Sequence, residues 1–141
     1  RFGPGRGEGI ELGDAGAARA AGHTPGQCMV PQPGVPMTVF VNDDQDTGWA
    51  EVGPYLMNDV LSYAEWNDDS RDVASLSYSK TVEDLREERG AHRVMTVDEA
   101  VEHVQTAFVL PLHPLCGGTP PAIAWPYLRR VVDEVMPRVS G

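Results

Sequence analysis

The sequence has few cysteines and no long apolar segment, and each shortage excludes a class of protein. Among its 141 residues only Cys28 and Cys116 are cysteines, too few and too far apart for a disulfide framework or a CxxC motif. No apolar run approaches the roughly 20 residues of a membrane-spanning helix, and the opening residues lack the basic-then-apolar order of a secretory signal. We therefore expect a cytoplasmic protein with reduced thiols and no membrane partner.

Positive charge is also scarce. The chain has 11 Lys+Arg against 21 Asp+Glu, so its formal net charge is −10 at pH 7. Such an acidic surface repels phosphate backbones and anionic lipid headgroups, and nucleic acid is not expected as a partner. The motifs GxGxxG, GxxxxGK[ST] and GxSxG are missing too, so the sequence has none of the ordinary nucleotide-binding or hydrolase signatures.

Glycine and proline are plentiful in the first quarter of the chain. We expect residues 1–36 to be a loop-rich lead-in with one short helix near residues 13–21, capped by Asp14 and ended by Gly22. Residues 37–141 are expected to hold the ordered domain. Because the chain begins with Arg1 rather than Met, we expect it to continue a longer reading frame.

The clearest elements of the ordered domain alternate between strand and helix. Residues 37–41 (MTVFV) are β-branched and aromatic, which predicts a strand. Apolar residues three and four apart predict an amphipathic helix from 46 to 66, followed by a loop over 67–80. Thr81 and Thr96 each open a capping-box pattern and so predict two further helix starts.

A second strand is predicted at residues 106–112 (TAFVLPL), a continuous apolar run typical of a strand buried on both faces. A further helix follows, and its apolar face holds Ala124, Leu128, Val131, Val132 and Val135. This order of elements predicts an α/β fold with parallel strands. Because a (β/α)₈ barrel needs about 200–250 residues, we expect the chain to be part of a larger fold. The three tryptophans are expected in the core: Trp49, Trp66 and Trp125.

The best site candidate is the segment 113–118 (HPLCGG), because it lies between the second predicted strand and a helix. In parallel α/β folds ligands bind in such loops, at the carboxyl ends of the strands. Gly117 and Gly118 either bring backbone amides to a phosphate or form a tight turn, the commoner role of glycine. His113 is either a proton donor or a hydrogen-bonded structural residue.

Nucleophilic and metal chemistry are weaker interpretations. Cys116 fits a small buried thiol better than a nucleophile, since no second histidine is close to it in sequence. The other histidines, His23, His92 and His103, share no ligand spacing, so no metal site is expected. No catalytic residue is assigned.

Three groups of residues carry a family resemblance. The first comprises TVFVNDD at 38–44 and WAEVGPYL at 49–56. The second comprises YAEW at 63–66, TVEDLR at 81–86 and RVMTVDEA at 93–100. The third and most distinctive comprises HPLCGGTPP at 113–121, AW at 124–125 and VMPR at 135–138. In this order and spacing they resemble the C-terminal part of bacterial luciferase-like flavin-dependent monooxygenases.

The resemblance implies a (β/α)₈ barrel of which this chain supplies the last two strands and their helices. It implies an oxidoreductase in which reduced flavin, FMN or a deazaflavin, reacts with O₂ and a small organic substrate. Gly117 and Gly118 would then shape the flavin or phosphate end of the pocket, and His113 would line it. Because six strands would be missing, we expect the chain to be inactive alone, and whether it is itself an enzyme is left open.

The alternative is a small autonomous α/β binding or interaction module without catalysis. Such a module would bury its exposed sheet edges by association, for example as a homodimer. A hydrolase using Cys116 and His113 is a third and remote interpretation.

Overall fold

The computed structural model describes residues 15–26, 32, 34–67 and 77–139. The chain divides into two compact units, Arg1–Gln32 and Pro33–Gly141.

Helix α1, seen at residues 15–20, belongs to the first unit and ends at a left-handed glycine. Gly22 has φ +77°, its N–H donates to the carbonyl of Arg19, and the His23 N–H donates to the carbonyl of Ala18. This pair of hydrogen bonds is a Schellman motif, which satisfies the last carbonyls of a helix. The predicted stop at Gly22 is confirmed, whereas its predicted N-cap, Asp14, lies outside the described residues.

The second unit is a mixed α/β arrangement around a small parallel sheet. Its elements are β1 (Thr38–Val41), α2 (Gln45–Trp66), α3 (Val82–Glu88), β2 (His92–Met95), α4 (Val97–Ala107), a 3₁₀ turn (Cys116–Gly118), α5 (Pro121–Arg130), a π-helical turn (Val131–Val135) and α6 (Met136–Val139). β1 and β2 pair in parallel, in register from Thr38 opposite His92 to Val41 opposite Met95. The predicted α/β class is therefore confirmed.

Two helices start where their capping patterns predict. The Thr81 hydroxyl accepts from the Asp84 N–H at 3.1 Å, and the Asp84 carboxylate accepts from the Thr81 N–H at 3.2 Å. Thr96 and Glu99 repeat this exchange at the start of α4, at 3.1 and 2.9 Å. Each box satisfies two backbone donors that the first turn leaves free, which is why the local sequence sufficed here.

The predicted second strand at residues 106–112 is wrong. Residues 106 and 107 end α4, and Phe108 adopts a left-handed conformation, φ +60°, with 85% of its surface exposed. Beyond it residues 109–112 form one backbone hydrogen bond with β1 in the described part of the chain, from the Val39 N–H to the Pro111 carbonyl at 3.0 Å. Proline offers no N–H to a ladder, so this apolar segment packs beside β1 without becoming a strand.

The actual partner of β1, β2, has only four residues, HRVM, and the sequence pattern did not reveal it. A run so short has no periodicity of its own to distinguish it from a loop. Its strand conformation depends on backbone pairing with β1, in which the Thr38 N–H donates to the Ala91 carbonyl and the Asn42 N–H to the Met95 carbonyl.

Side chains of the sheet alternate between two apolar clusters. One lies mainly against α2 and includes Phe40, Trp49, Leu56 and Val94. The other lies against α4 and the C-terminal helices and includes Val39, Val41, Met95, Ala100 and Val135. Both faces of the sheet are thus covered, as parallel strands require.

Only one of the three tryptophans belongs to this core. Trp49 is buried as expected, but the expectation for Trp66 and Trp125 is wrong, since they are 74% and 60% exposed. Trp66 is the last residue of α2, and Trp125 lies on the outer side of α5, whose buried residues are Ala124 and Tyr127. Adjacent positions on a helix point about 100° apart, so a tryptophan beside a core position need not face inward.

Candidate functional site

The densest group of chemically versatile side chains lies at the amino ends of β1 and β2. It brings together Asp59 of α2, His92 at the first position of β2 and Cys116 at the start of the 3₁₀ turn. One oxygen, nitrogen or sulfur ligand atom from each lies within 4.8 Å of the other two. His92 Nε2 lies 2.9 Å from Asp59 Oδ2. We call these three residues the amino-end cluster.

Each member of the amino-end cluster is held by its own element. The His92 side chain is 1% exposed because β2 is covered on both faces, whereas the Asp59 side chain is 21% exposed on α2. Cys116 is partly buried and packs against the apolar cluster beside α2. The cluster is therefore built from three segments far apart in sequence and retains a partly open side at Asp59 and Cys116.

The thiol of Cys116 is held in its neutral form. Burial raises the pKa of Cys116 to about 12, with a further rise from the neighbouring Asp59 carboxylate, while a hydrogen bond with Thr38 acts in the opposite direction. A thiol with so high a pKa carries almost no thiolate near neutral pH and is a poor nucleophile. This favours the small buried thiol over the Cys116–His113 hydrolase.

His113 contacts the second layer of this cluster. Its Nδ1 lies 3.2 Å from the Thr38 hydroxyl, and Thr38 is itself 3% exposed and lies opposite His92 in the sheet. The contact is the one expected of a hydrogen-bonded structural histidine. A role of His113 in lining a flavin pocket stays a prediction.

The loop that carries the predicted site lies at a different end of the sheet from the one expected. His113 lies beside Thr38 and Cys116 lies beside His92, the first residues of β1 and β2, so the loop lies at the amino end of the sheet. The prediction of a carboxyl-end loop is wrong because it relied on the strand at residues 106–112, which does not form.

Position 117 requires glycine because the backbone of the turn approaches α2 closely. Its φ is +59°, and a Cβ added there would lie 1.8 Å from the Tyr55 carbonyl oxygen. The Asn58 side-chain amide donates to the Gly117 carbonyl at 3.0 Å. Gly118, at φ +86°, has open space where its Cβ would be. Both glycines adopt the left-handed conformation of a tight turn, and phosphate binding by this turn stays a prediction.

Polar side chains at the carboxyl end of β1 are largely engaged with one another. The Tyr127 hydroxyl donates to Glu51 at 2.7 Å, and burial together with this bond raises the pKa of Tyr127 to about 12. Arg130 donates to the Val41 carbonyl at 3.3 Å. The Asp43 carboxylate accepts from the N–H at the start of α4 at 2.8 Å. These hydrogen bonds link the carboxyl end of β1, the turn after it, α2, α4 and α5 to one another.

An open groove of about 500 Å³ follows β2, which pairs with no second neighbour among the described residues. Arg89 and Arg93 line it. Arg89 is paired with Glu99 at 3.0 Å, and Arg93 donates to the backbone carbonyls of Gly34 and Gly90. Glu83 and Glu87 also line the groove, so its border carries both basic and acidic side chains.

Sequence reasoning missed the amino-end cluster because the spacing of its three residues matches no recognisable motif. Asp59 precedes His92 by 33 positions and Cys116 follows it by 24, so no short ligand motif exists. No signal in the sequence marked His92 as buried, because β2, the strand that it begins, is not predicted from the sequence pattern.

Comparison with protein-family models, curated proteins and solved structures finds no match to this chain. Within the part of the chain that the structure describes, no helix combines the length and apolarity that crossing a membrane requires.

Proposed function

We propose that residues 37–141 supply the last two β/α units of a luciferase-like flavin-dependent oxidoreductase. In this proposal the whole protein is a cytoplasmic monooxygenase that uses reduced FMN or a deazaflavin, O₂ and a small organic substrate. The observation that carries it is the parallel pairing of β1 with β2 across helices α2 and α3. A strand, a helical crossover and a neighbouring parallel strand form the repeating unit of a (β/α)₈ barrel.

The positions of the family-like motifs support the proposal. TVEDLR at 81–86 coincides with the capping box and first turns of α3, and RVMTVDEA at 93–100 spans most of β2 and the start of α4. TVFVNDD at 38–44 comprises β1 and the turn that caps α2. These motifs mark the boundaries of consecutive elements, as expected if they encode β/α units rather than an unrelated fold.

The free edge of β2 also supports a barrel. Every strand of a closed barrel pairs on both sides, so a piece with only the final two strands leaves its outer edges unpaired, among them the edge of the last strand that would face the first. β2 has such an edge among the described residues, and the groove of about 500 Å³ lies along it. An earlier strand of the same protein fits there.

The test is flavin binding by the gene product that contains this chain in its natural frame. We expect saturable quenching of FMN or deazaflavin fluorescence, and binding of neither would refute the proposal. Gly118→Ala tests the proposed flavin loop, because it adds a methyl group into open space without altering packing. We expect it to weaken flavin binding about tenfold, equal to 1.4 kcal/mol. Gly22→Ala, at a residue that likewise has a positive φ (+77°) and open space at its Cβ position but lies in the first unit, is the matched control and should bind normally.

The alternative, an autonomous binding module, is favoured by one observation: the Pro33–Gly141 unit contains two apolar clusters with fully buried members such as Val41, Val52 and Leu56. If the 141-residue chain unfolds cooperatively in urea and the gene product that contains it binds no flavin, this alternative replaces the oxidoreductase. A broad, non-sigmoidal transition would exclude it, because an autonomous domain of this size unfolds in one step.

A further inference from the structure

The amino-end cluster offers the three side-chain types that bind transition-metal ions best. Zn²⁺ takes thiolate, imidazole and carboxylate ligands at about 2.0–2.3 Å in tetrahedral geometry, so two ligand atoms of one ion lie about 3.3–3.8 Å apart. The ligand atoms of Asp59, His92 and Cys116 already lie within 4.8 Å of one another. Side-chain movements of about 1 Å would place all three around a single ion.

His92 supplies a second, independent observation. Its imidazole is 1% exposed, and its Nδ1 is buried without a hydrogen-bond partner within the part of the chain that the structure describes. Buried polar atoms are normally satisfied, so such an atom requires an explanation. Nε2 faces Asp59 Oδ2 at 2.9 Å, so a metal ion bound at Nε2 beside Asp59 would replace this hydrogen bond and leave the ring proton on Nδ1.

The charges of the cluster select the kind of ion. A thiolate, a carboxylate and a neutral imidazole carry −2 in total and neutralise a divalent cation, which reduces the cost of burying it. A sulfur and a nitrogen ligand disfavour Ca²⁺ and Mg²⁺, which prefer oxygen, and favour Zn²⁺. The partial exposure of Asp59 and Cys116 leaves a route for the ion to enter.

We propose that Asp59, His92 and Cys116 bind a Zn²⁺ ion that links α2, β2 and the 3₁₀ turn. On binding, the S–H bond of Cys116 breaks, its proton passes to solvent and its sulfur coordinates the ion, with no change in oxidation state. A water molecule completes four-coordination. The site lies at the amino ends of β1 and β2 and shares the turn 113–118 with the proposed flavin loop. Its test therefore measures metal binding alone and needs no flavin.

The experiment uses the full chain, freed of metal by a chelator and then dialysed against Zn²⁺ alone. We expect one equivalent of Zn²⁺ to be retained, and Co²⁺ added in its place to give a thiolate-to-cobalt charge-transfer band. Asp59→Asn and Cys116→Ser keep the side-chain volume and should weaken binding at least about tenfold, and Cys116→Ser should abolish the band. Cys28→Ser and His103→Gln are the matched controls and should leave both readouts unchanged. Far-UV circular dichroism of each variant verifies that it folds.

Three outcomes would overturn the proposal. The first is that the unaltered chain retains no Zn²⁺ and shows no charge-transfer band with Co²⁺, a result that does not depend on any variant folding. The second is a folded Cys116→Ser chain that binds Zn²⁺ like the unaltered one. The third is loss of the band in Cys28→Ser, which would place the ion elsewhere.

Discussion

Replacing Gly117 by alanine tests whether the close packing of the HPLCGG turn on α2 requires glycine at this position. The added Cβ would lie 1.8 Å from the Tyr55 carbonyl oxygen, 2.6 Å from the carbonyl carbon and 3.2 Å from the Asp59 nitrogen. The nearest atoms belong to the backbone of a helix and cannot rotate away. The turn must therefore move off α2 by more than 1 Å to restore an ordinary contact of about 3 Å between carbon and oxygen.

The cost has three parts. A non-glycine residue in the left-handed region costs about 1–2 kcal/mol. Moving the turn breaks the hydrogen bond between Asn58 and the Gly117 carbonyl, worth about 1 kcal/mol. The strain of overpacking adds about 1–3 kcal/mol. Gly117→Ala should thus lower the free energy of unfolding by about 3–6 kcal/mol, a large share of the 5–15 kcal/mol typical of a domain.

Gly118→Ala is the matched control, because Gly118 has φ +86° but open space around its Cβ position. It should cost only the backbone strain, about 1–2 kcal/mol. Urea unfolding followed by tryptophan fluorescence and by circular dichroism measures both variants. Equal losses of stability in the two variants, or a loss below about 1 kcal/mol for Gly117→Ala, would refute the reasoning from close packing.

Three further predictions concern single side chains. In a Cys28→Ser background, Cys116 should react with iodoacetamide at pH 8 on the order of a thousandfold more slowly than an ordinary free thiol, because its thiolate is scarce. Mass spectrometry measures the rate of alkylation. Fast alkylation would contradict the raised pKa of about 12. Thr96→Ala should lower the free energy of unfolding by about 1 kcal/mol through loss of the α4 cap, and an unchanged urea midpoint would exclude that role. Burial alone would raise the pKa of Glu99, but hydrogen bonds from the Thr96 backbone and from Arg89 outweigh it and lower this pKa. A lowered folded-state pKa contributes stability that is present above the ordinary value and is lost as pH falls, so Glu99→Gln should destabilise the chain more at pH 7 than at pH 3 in urea titrations.

The sequence alone determined the features that depend on neighbouring residues. Thr81 with Asp84 and Thr96 with Glu99 fix two helix starts, because a capping box closes within four residues. Gly22 fixes the end of α1, since glycine enters the left-handed region without strain. The same local logic gave β1, whose β-branched run is distinctive even in isolation.

Only the tertiary structure decided where the chemistry lies. The apolar run at 106–112 fits strand and helix patterns alike. It does not form a strand because α4 extends to Ala107 and because Pro111 has no N–H to donate. β2 became a strand because β1 was there to pair with it. Three segments far apart in sequence meet at one end of the sheet and bring together Asp59, His92 and Cys116. The parallel register, the course of α2 and the close approach of Gly117 to α2 place them there. Distances between residues far apart in sequence follow from packing, which no local pattern encodes.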